Sequence, residues 1–386
     1  MKIETDIILK SLYNKERQLL GGKGQIYTPK VIRDKILKFI TPQDKNICIL
    51  YNIEFILDLY NNDEYNLTFV SDDKIRNDIV KNTYKNVKVI LIDNTDFKEG
   101  LKGMKFDLII SNPPYTHQLD LKILNQIHDL ADKFCIVHPS YWLLDKRIKK
   151  GKITQKSISL FESKLNYVEL LNGNNIFDIS IFIPIAITVF NKTGENIIVN
   201  DTINNLNYIV NNINDIDIHG NSDIYKSLKY KILNYCINND NILNHMAFSN
   251  SRKSEFPNEY QLGHSTIRGN NFKNPDYFTL IQLTNENNHI GKETKYCCKY
   301  YFDTRQELFS FKNYLKLKLS RFCLSIFKLN QQLCCNGSNE IESIPYMPTY
   351  EHNWSDKDVA NEIGLTDEEL EWAINWIPNY YPEDKL

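Results

Sequence analysis

The chain has 386 residues, 42% hydrophobic and 24% charged, with a formal net charge of -2. That length accommodates two domains, each with its own core, and the composition is that of a soluble globular protein with no apolar run of membrane-span length. The near-neutral charge excludes a globally basic nucleic-acid binder, and Met1 to Leu20 lacks the layout of a secretory signal, so a cytoplasmic protein is expected.

Thr5 to Leu20 has the apolar spacing of a helix, followed by the loop Gly21-Gly22-Lys23-Gly24-Gln25. Thr28-Pro29 then opens a second helix over 30–40, with Thr28 expected as N-cap and Pro29 at the first helical position. Strands are expected at 47–50, 66–70, 87–92 and 106–110, with helices at 53–60 and 74–83 between them. A helix over 119–134 and a strand at 135–138 follow, then strands at 167–171 and 181–190. Short apolar strands alternating with helices predict an α/β fold, a mostly parallel sheet covered on both faces. Ligands of such sheets bind outside the carboxyl ends of the strands.

Beyond Asn191 the alternation stops. Residues 196–223 read as an Asn-rich connection, 224–238 as a helix, 241–302 as short strands and turns, and 305–329 as a long amphipathic helical region. Thr366 and Glu369 form a capping-box pattern for a last helix. Two segments are locally basic, 146–152 and 312–321, and the last 36 residues from Glu351 are acidic; either basic segment suits phosphate contact or an ordinary solvated face. The eight cysteines include the adjacent pairs Cys297-Cys298 and Cys334-Cys335, which lack zinc-ligand spacing, and no compact acid cluster suggests a metal or a nuclease.

The chemistry lies in Ser111-Asn112-Pro113-Pro114-Tyr115, at the end of the expected strand 106–110. An exocyclic amino group on a ring is a poor nucleophile because its lone pair is delocalised. Two acceptors aimed at its N–H groups favour the more tetrahedral nitrogen that can take a methyl group. An asparagine side-chain oxygen and a proline carbonyl of fixed direction supply them, and an aromatic neighbour stacks on the ring.

This segment resembles motif IV of the amino-methyltransferases, and within them the gamma class of DNA adenine-N6 methyltransferases found in type I and type IIG restriction-modification systems and in phages. Gly24-Gln25-Ile26-Tyr27-Thr28-Pro29 resembles motif X, which closes over the methionine end of S-adenosyl-L-methionine (AdoMet). Asp96-Phe97 resembles the pair that holds the cofactor adenine, Pro139 to Leu143 resembles the family's Pro-x-x-Trp-Leu segment, and Phe177 after Asn175-Ile176 resembles the motif VIII aromatic that stacks on the flipped base. The resemblance implies a Rossmann-like methyltransferase domain at 1–195, a C-terminal α+β target-recognition region at 196–345, and a helical extension at 346–386. It also implies AdoMet as cofactor, DNA as substrate, catalytic Asn112, Pro113, Pro114 and Tyr115, and cofactor contacts from Tyr27, Thr28 and Pro29.

The sequence departs from the family at the first-strand loop, Ile49-Leu50-Tyr51-Asn52-Ile53-Glu54-Phe55, where a glycine-rich turn is expected; no glycine occurs between Gly24 and Gly100. Glu54 remains a candidate for the cofactor, and Asp72 or Asp73 for its ribose. Two readings follow: a site-specific adenine methyltransferase with an unusual cofactor loop, or a catalytically inactive DNA-binding protein or recognition subunit that pairs with an active partner. Cytosine N4, RNA adenine and a glutamine amide share the same amino-group logic.

Overall fold

The computed structural model describes residues 2–19, 26–144, 152–173, 176–177, 184–192, 194, 196–239, 242, 246–248, 260–266, 281–286, 298–327, 334–335, 338–339 and 341–377. The Gly21–Gln25 loop, nearly all of the basic run at 146–152, Asn175 and Cys297 lie outside them.

The chain divides into two compact units, the first formed by residues 1–144 and 148–218 and the second by 145–147 and 219–386. In the first, helices α1 (Lys2–Leu19) and α2 (Lys30–Leu37) precede strand β1 (Asn46–Leu50). Helix α3 (Ile53–Leu59), β2 (Asn66–Ser71), α4 (Lys74–Thr83), β3 (Lys88–Leu91), the short α5 (Phe97–Gly100) and β4 (Phe106–Ser111) follow. Next come α6 (Leu119–Ile127), β5 (Ala131–Pro139), α7 (Tyr141–Leu144), α8 (Lys152–Phe161), β6 (Leu165–Asn172) and β7 (Pro184–Phe190). Strands β8 (Ile197–Asp201) and β9 (Leu206–Val210) complete the unit.

The nine strands form one sheet in the order β3-β2-β1-β4-β5-β7-β6-β8-β9. Strands β1 to β5 are mutually parallel, and β7 runs antiparallel between β5 and β6. Strands β1, β2, β4 and β7 are apolar and buried along most of their length, as a sheet covered on both faces requires. The order reverses between β1 and β4, the position at whose carboxyl ends sheets of this kind place their ligands. Asp107 fixes their relative register, its Oδ2 accepting from the backbone N–H groups of Lys45 (2.9 Å) and Asn46 (2.7 Å).

Three local expectations change. The helix expected over 119–134 ends at Ile127, because Ala131 already pairs with Phe106 and the alternating stretch from there joins the sheet as β5. The sheet does not end near residue 195: β8 hydrogen-bonds in parallel to β6, and the first unit runs to Ile218. Thr28 does not cap α2. Pro29 holds the N-cap position, and the Thr28 hydroxyl turns instead toward Asn52 and Asn112.

The second unit contains α9 (Asp223–Asn238) and an antiparallel sheet of β10 (Met246–Phe248), β11 (Tyr260–Thr266), β12 (Ile281–Glu286) and β13 (Cys298–Phe302), in the order β10-β13-β11-β12. Helices α10 (Arg305–Lys316), α11 (Lys318–Phe327), α12 (Asp356–Ile363) and α13 (Asp367–Asn375) follow. The helical region expected over 305–329 is broken at Leu317, whose ψ is 146°. Asp356 stabilises the break by accepting from the Leu319 N–H at 2.7 Å, at the new helix start. Val359, Ala360 and Ala373 share one core with Tyr225, Phe311 and Phe322, so residues beyond 345 pack as part of this unit and not as a separate extension. Arg321 is buried, which removes it from any phosphate-facing surface.

Thr366 and Glu369 form the expected capping box, and Gly364 ends α12 at φ +81°. Gly364→Ala is expected to cost about 1 kcal/mol, because a Cβ disfavours the left-handed conformation, although the space around it is open. Urea denaturation measures this; an unchanged midpoint contradicts it.

Candidate active site

The carboxyl end of β1 is where the family's glycine turn belongs. Here Tyr51 takes a left-handed conformation, φ +71°, and Asn52 follows as N-cap of α3. Left-handed geometry costs a side-chain-bearing residue roughly 1–2 kcal/mol, so the packing around Tyr51 must hold it. Its ring is 3% exposed and lies against Phe97 at 5.7 Å.

Glu54 sits in the first turn of α3 and is fully buried. Its Oε1 accepts from the Thr28 N–H (2.8 Å) and from Asn52 Nδ2 (3.0 Å), and its Oε2 accepts from the Tyr13 hydroxyl (2.8 Å). Tyr13 belongs to α1 and is itself buried, with the Arg76 guanidinium 4.2 Å from its ring centre. Arg76 comes from the first turn of α4, just after β2. Tyr13 therefore lies between the first turns of the helices that follow β1 and β2.

The network continues into the motif at β4. Asn52 Oδ1 accepts from the Asn112 N–H at 2.7 Å, which fixes the orientation of the Asn52 amide. Asn112 is fully buried; its Nδ2 donates to Thr28 Oγ1 at 3.0 Å, and its Oδ1 accepts from the Tyr115 hydroxyl. Thr28, Asn52, Glu54 and Asn112 thus form a closed set of hydrogen bonds joining the Tyr27–Pro29 segment, the β1 loop and the Asn112–Tyr115 segment. Pro113 is buried, while Pro114 and Tyr115 are partly exposed. Burial, and secondarily the charge of Asp120, raises the Tyr115 hydroxyl well above its ordinary pKa.

The remaining candidates have separate duties. Tyr27 donates to Asp6 and accepts from Arg33 Nη1 at 2.7 Å. Arg33, buried, also donates to the Thr28 carbonyl (2.8 Å), Asp58 (2.6 Å) and Asp6 (2.8 Å), pinning the motif X segment to α1 and α3. Asp73 caps α4, accepting from the Ile75 and Arg76 N–H groups, and also pairs with the Arg76 side chain. Asp72 is partly exposed at the end of β2, and burial raises its carboxyl. Asp96 is exposed and caps α5, and Phe97 is buried in the interior. Phe177 is 4% exposed within the core of the unit, where no ring face is open for a base. Trp142 is a core residue: its indole N–H donates to His138 Nδ1 at 3.0 Å, which leaves His138 Nε2 to donate to Thr188 Oγ1 at 2.9 Å, and burial lowers His138 to a pKa of about 3.

The residues that sequence reasoning missed are Tyr13, Asn52, Arg76 and Asp120. Asn52 carried a signal, as an asparagine just before a helix. Tyr13 carried none, being one tyrosine on an amphipathic helix.

No protein-family profile and no curated protein sequence matches this chain. Solved structures do resemble it. A TehB-like SAM-dependent methyltransferase from Corynebacterium glutamicum has 14% identity and a TM-score of 0.33 over 47% of this chain and 97% of its own. The methyltransferase subunit of a type I restriction-modification system from Streptococcus thermophilus has 15% identity and a TM-score of 0.38 over 46% of this chain and 48% of its own. TrmK from M. capricolum, in complex with S-adenosyl-homocysteine, has 12% identity and a TM-score of 0.33 over 54% of this chain and 87% of its own. This chain thus spans about half the length of the Streptococcus subunit. With its parallel β3-β2-β1-β4-β5 run and reversed β7, the first unit has a Rossmann-like α/β fold.

AdoMet in that fold needs open space at the carboxyl ends of β1 and β2. In this chain Tyr13, Tyr51 and Glu54 are buried there, and Glu54 accepts from Thr28, Asn52 and Tyr13. As arranged, these residues are committed to one another. No group of three or more metal-ligating side chains occurs among the described residues, and no described helix is long and apolar enough to cross a membrane.

Proposed function

We propose that this chain is a DNA-binding protein of the adenine-N6 methyltransferase type that takes an extruded adenine at Asn112–Tyr115 and, with α1 closed on Glu54, transfers no methyl group by itself. The observation that carries this reading is the saturation of Glu54 by Tyr13, Thr28 and Asn52. The base-handling half has the residue types such chemistry uses, an asparagine, two prolines and a partly exposed tyrosine at a strand end, with the Asn112 carboxamide held by Tyr115 and Thr28 in this arrangement. A base reaches such a site only by leaving the duplex stack. A protein of this kind reads DNA for a partner subunit that carries the methyl donor, with the second unit as the candidate for sequence recognition.

One observation favours turnover instead. Asp72 ends β2 as a partly exposed acid, where the family binds the ribose of AdoMet. Site-specific adenine-N6 methylation then requires α1 to leave Glu54.

Calorimetric titration of the full chain with AdoMet, alongside mass spectrometry of DNA incubated with both, separates the two. The expected result is no binding at micromolar AdoMet and no N6-methyladenine, with DNA still bound in a salt-dependent manner. Micromolar AdoMet binding, or N6-methyladenine that vanishes in Asn112→Ala, would overturn the inactive reading. Absence of DNA binding would overturn both.

A further inference from the structure

Between Tyr115 and α6 the chain makes one tight turn, Thr116–Gln118, in which His117 (φ +54°) and Gln118 (φ +59°) are both left-handed. Consecutive side-chain-bearing residues adopt this conformation only where their surroundings impose it. The turn delivers Asp120, in the first turn of α6, into the interior at 2% exposure. No side chain among the described residues donates a hydrogen bond to either carboxyl oxygen of Asp120. The groups that favour its charge are the backbone amides of Leu121 and of Asp120 itself.

Asp120 has defined neighbours. Its charge raises the hydroxyls of Tyr115, which follows β4, and of Tyr141, which follows β5. Strands β4 and β5 are adjacent and parallel, so Asp120 stands at their carboxyl ends, beside the Asn112–Tyr115 motif. A buried carboxyl with no side-chain partner and no cation is costly, and proteins rarely keep one without a use for it. Burial pushes this one up to about 7. The Asn112 carboxamide, meanwhile, is engaged by Tyr115 and Thr28.

We propose that Asp120 is a specificity-determining residue of the base site, where its carboxyl oxygen accepts a hydrogen bond from the exocyclic amino group of the base beside Tyr115. The ligand is a planar base bearing an amino group, adenine in the reading above, on which this inference rests. Either protonation state of the carboxyl retains an acceptor oxygen, so the contact does not depend on ionisation. The exposed Thr116–His117 stretch lies between the motif and α6, on the side from which a base would approach the carboxyl.

The test uses the full chain and single-stranded thymine oligonucleotides carrying either one adenine or one purine, which lacks only the amino group. Binding is read by fluorescence anisotropy. Wild type is expected to favour adenine over purine by about tenfold, the size of one hydrogen bond to a buried polar group. Asp120→Leu is expected to reduce that ratio to within about twofold while leaving affinity for the all-thymine strand unchanged, since phosphate contacts dominate it. Asp120→Asn keeps an acceptor oxygen and is expected to keep the ratio. A leucine variant with the wild-type ratio would overturn the assignment of Asp120 and leave the base site standing. A wild-type ratio near one would overturn the adenine reading as well as this inference.

Discussion

Replacing Glu54 with alanine is expected to lower the unfolding free energy by about 3–5 kcal/mol, the cost of removing one partner from a buried charged network. The carboxylate accepts from the Thr28 amide, the Asn52 side chain and the Tyr13 hydroxyl. All three donors are buried, and alanine leaves each without its acceptor while opening a void. Urea denaturation at neutral pH measures the loss. A residue whose main duty is to bind a small molecule behaves differently: its removal leaves the free protein about as stable and weakens the ligand. A change below about 1 kcal/mol, the size of an ordinary surface effect, would therefore sink the view that this loop is built as interior.

The second large effect concerns pH. The Asp120 carboxyl titrates near 3.9 in an unfolded chain, and burial raises it to about 7 in the folded one. Between these values the folded state binds more protons than the unfolded state. Stability therefore falls as pH rises from about 4 to about 7, and the loss is complete above that range. No cation offsets the burial among the described residues that act on this carboxyl. Asp120→Asn cannot ionise, so at pH 8 it is expected to exceed wild type by on the order of 2–4 kcal/mol, and at pH 4 to match it within about 1 kcal/mol. Denaturation midpoints at pH 4, 6 and 8 for both proteins give the difference directly. A gap that stays constant across pH would show that Asp120 ionises normally. A higher stability in the variant is also what a group kept for binding predicts.

The sheet was largely legible because its strands are local, apolar and separated by helices with distinct periodicity. Asn112 was legible because a strand, an asparagine and two prolines follow one another in the chain. What could not be read was what these residues touch. Thr28 and Asn112 are 84 residues apart, and Tyr13 and Glu54 are 41 apart, yet each pair shares a hydrogen bond. The Thr-Pro pair looked like a helix cap, since that local role is common; tertiary contact gave the hydroxyl another partner. The missing glycines were visible, but not that Tyr51 would adopt a glycine's backbone conformation and pack its ring on Phe97. Phe177 shows the converse. An aromatic between polar residues suits a base or a core equally, and only burial separates them.

Tyr13 has a thermodynamic consequence. A protein with an open cofactor cleft is stabilised by mass action, so its melting temperature tracks the concentration of a metabolite. On the reading proposed above, the group that fills the equivalent space is joined to the chain, and its local concentration is set by the length of the connection rather than by the cell. The stability of this half of the sheet is on that reading uncoupled from the supply of any small molecule. An occupant tethered in this way also cannot be diluted away; it leaves only when α1 itself unfolds or is drawn off by something that binds it more strongly.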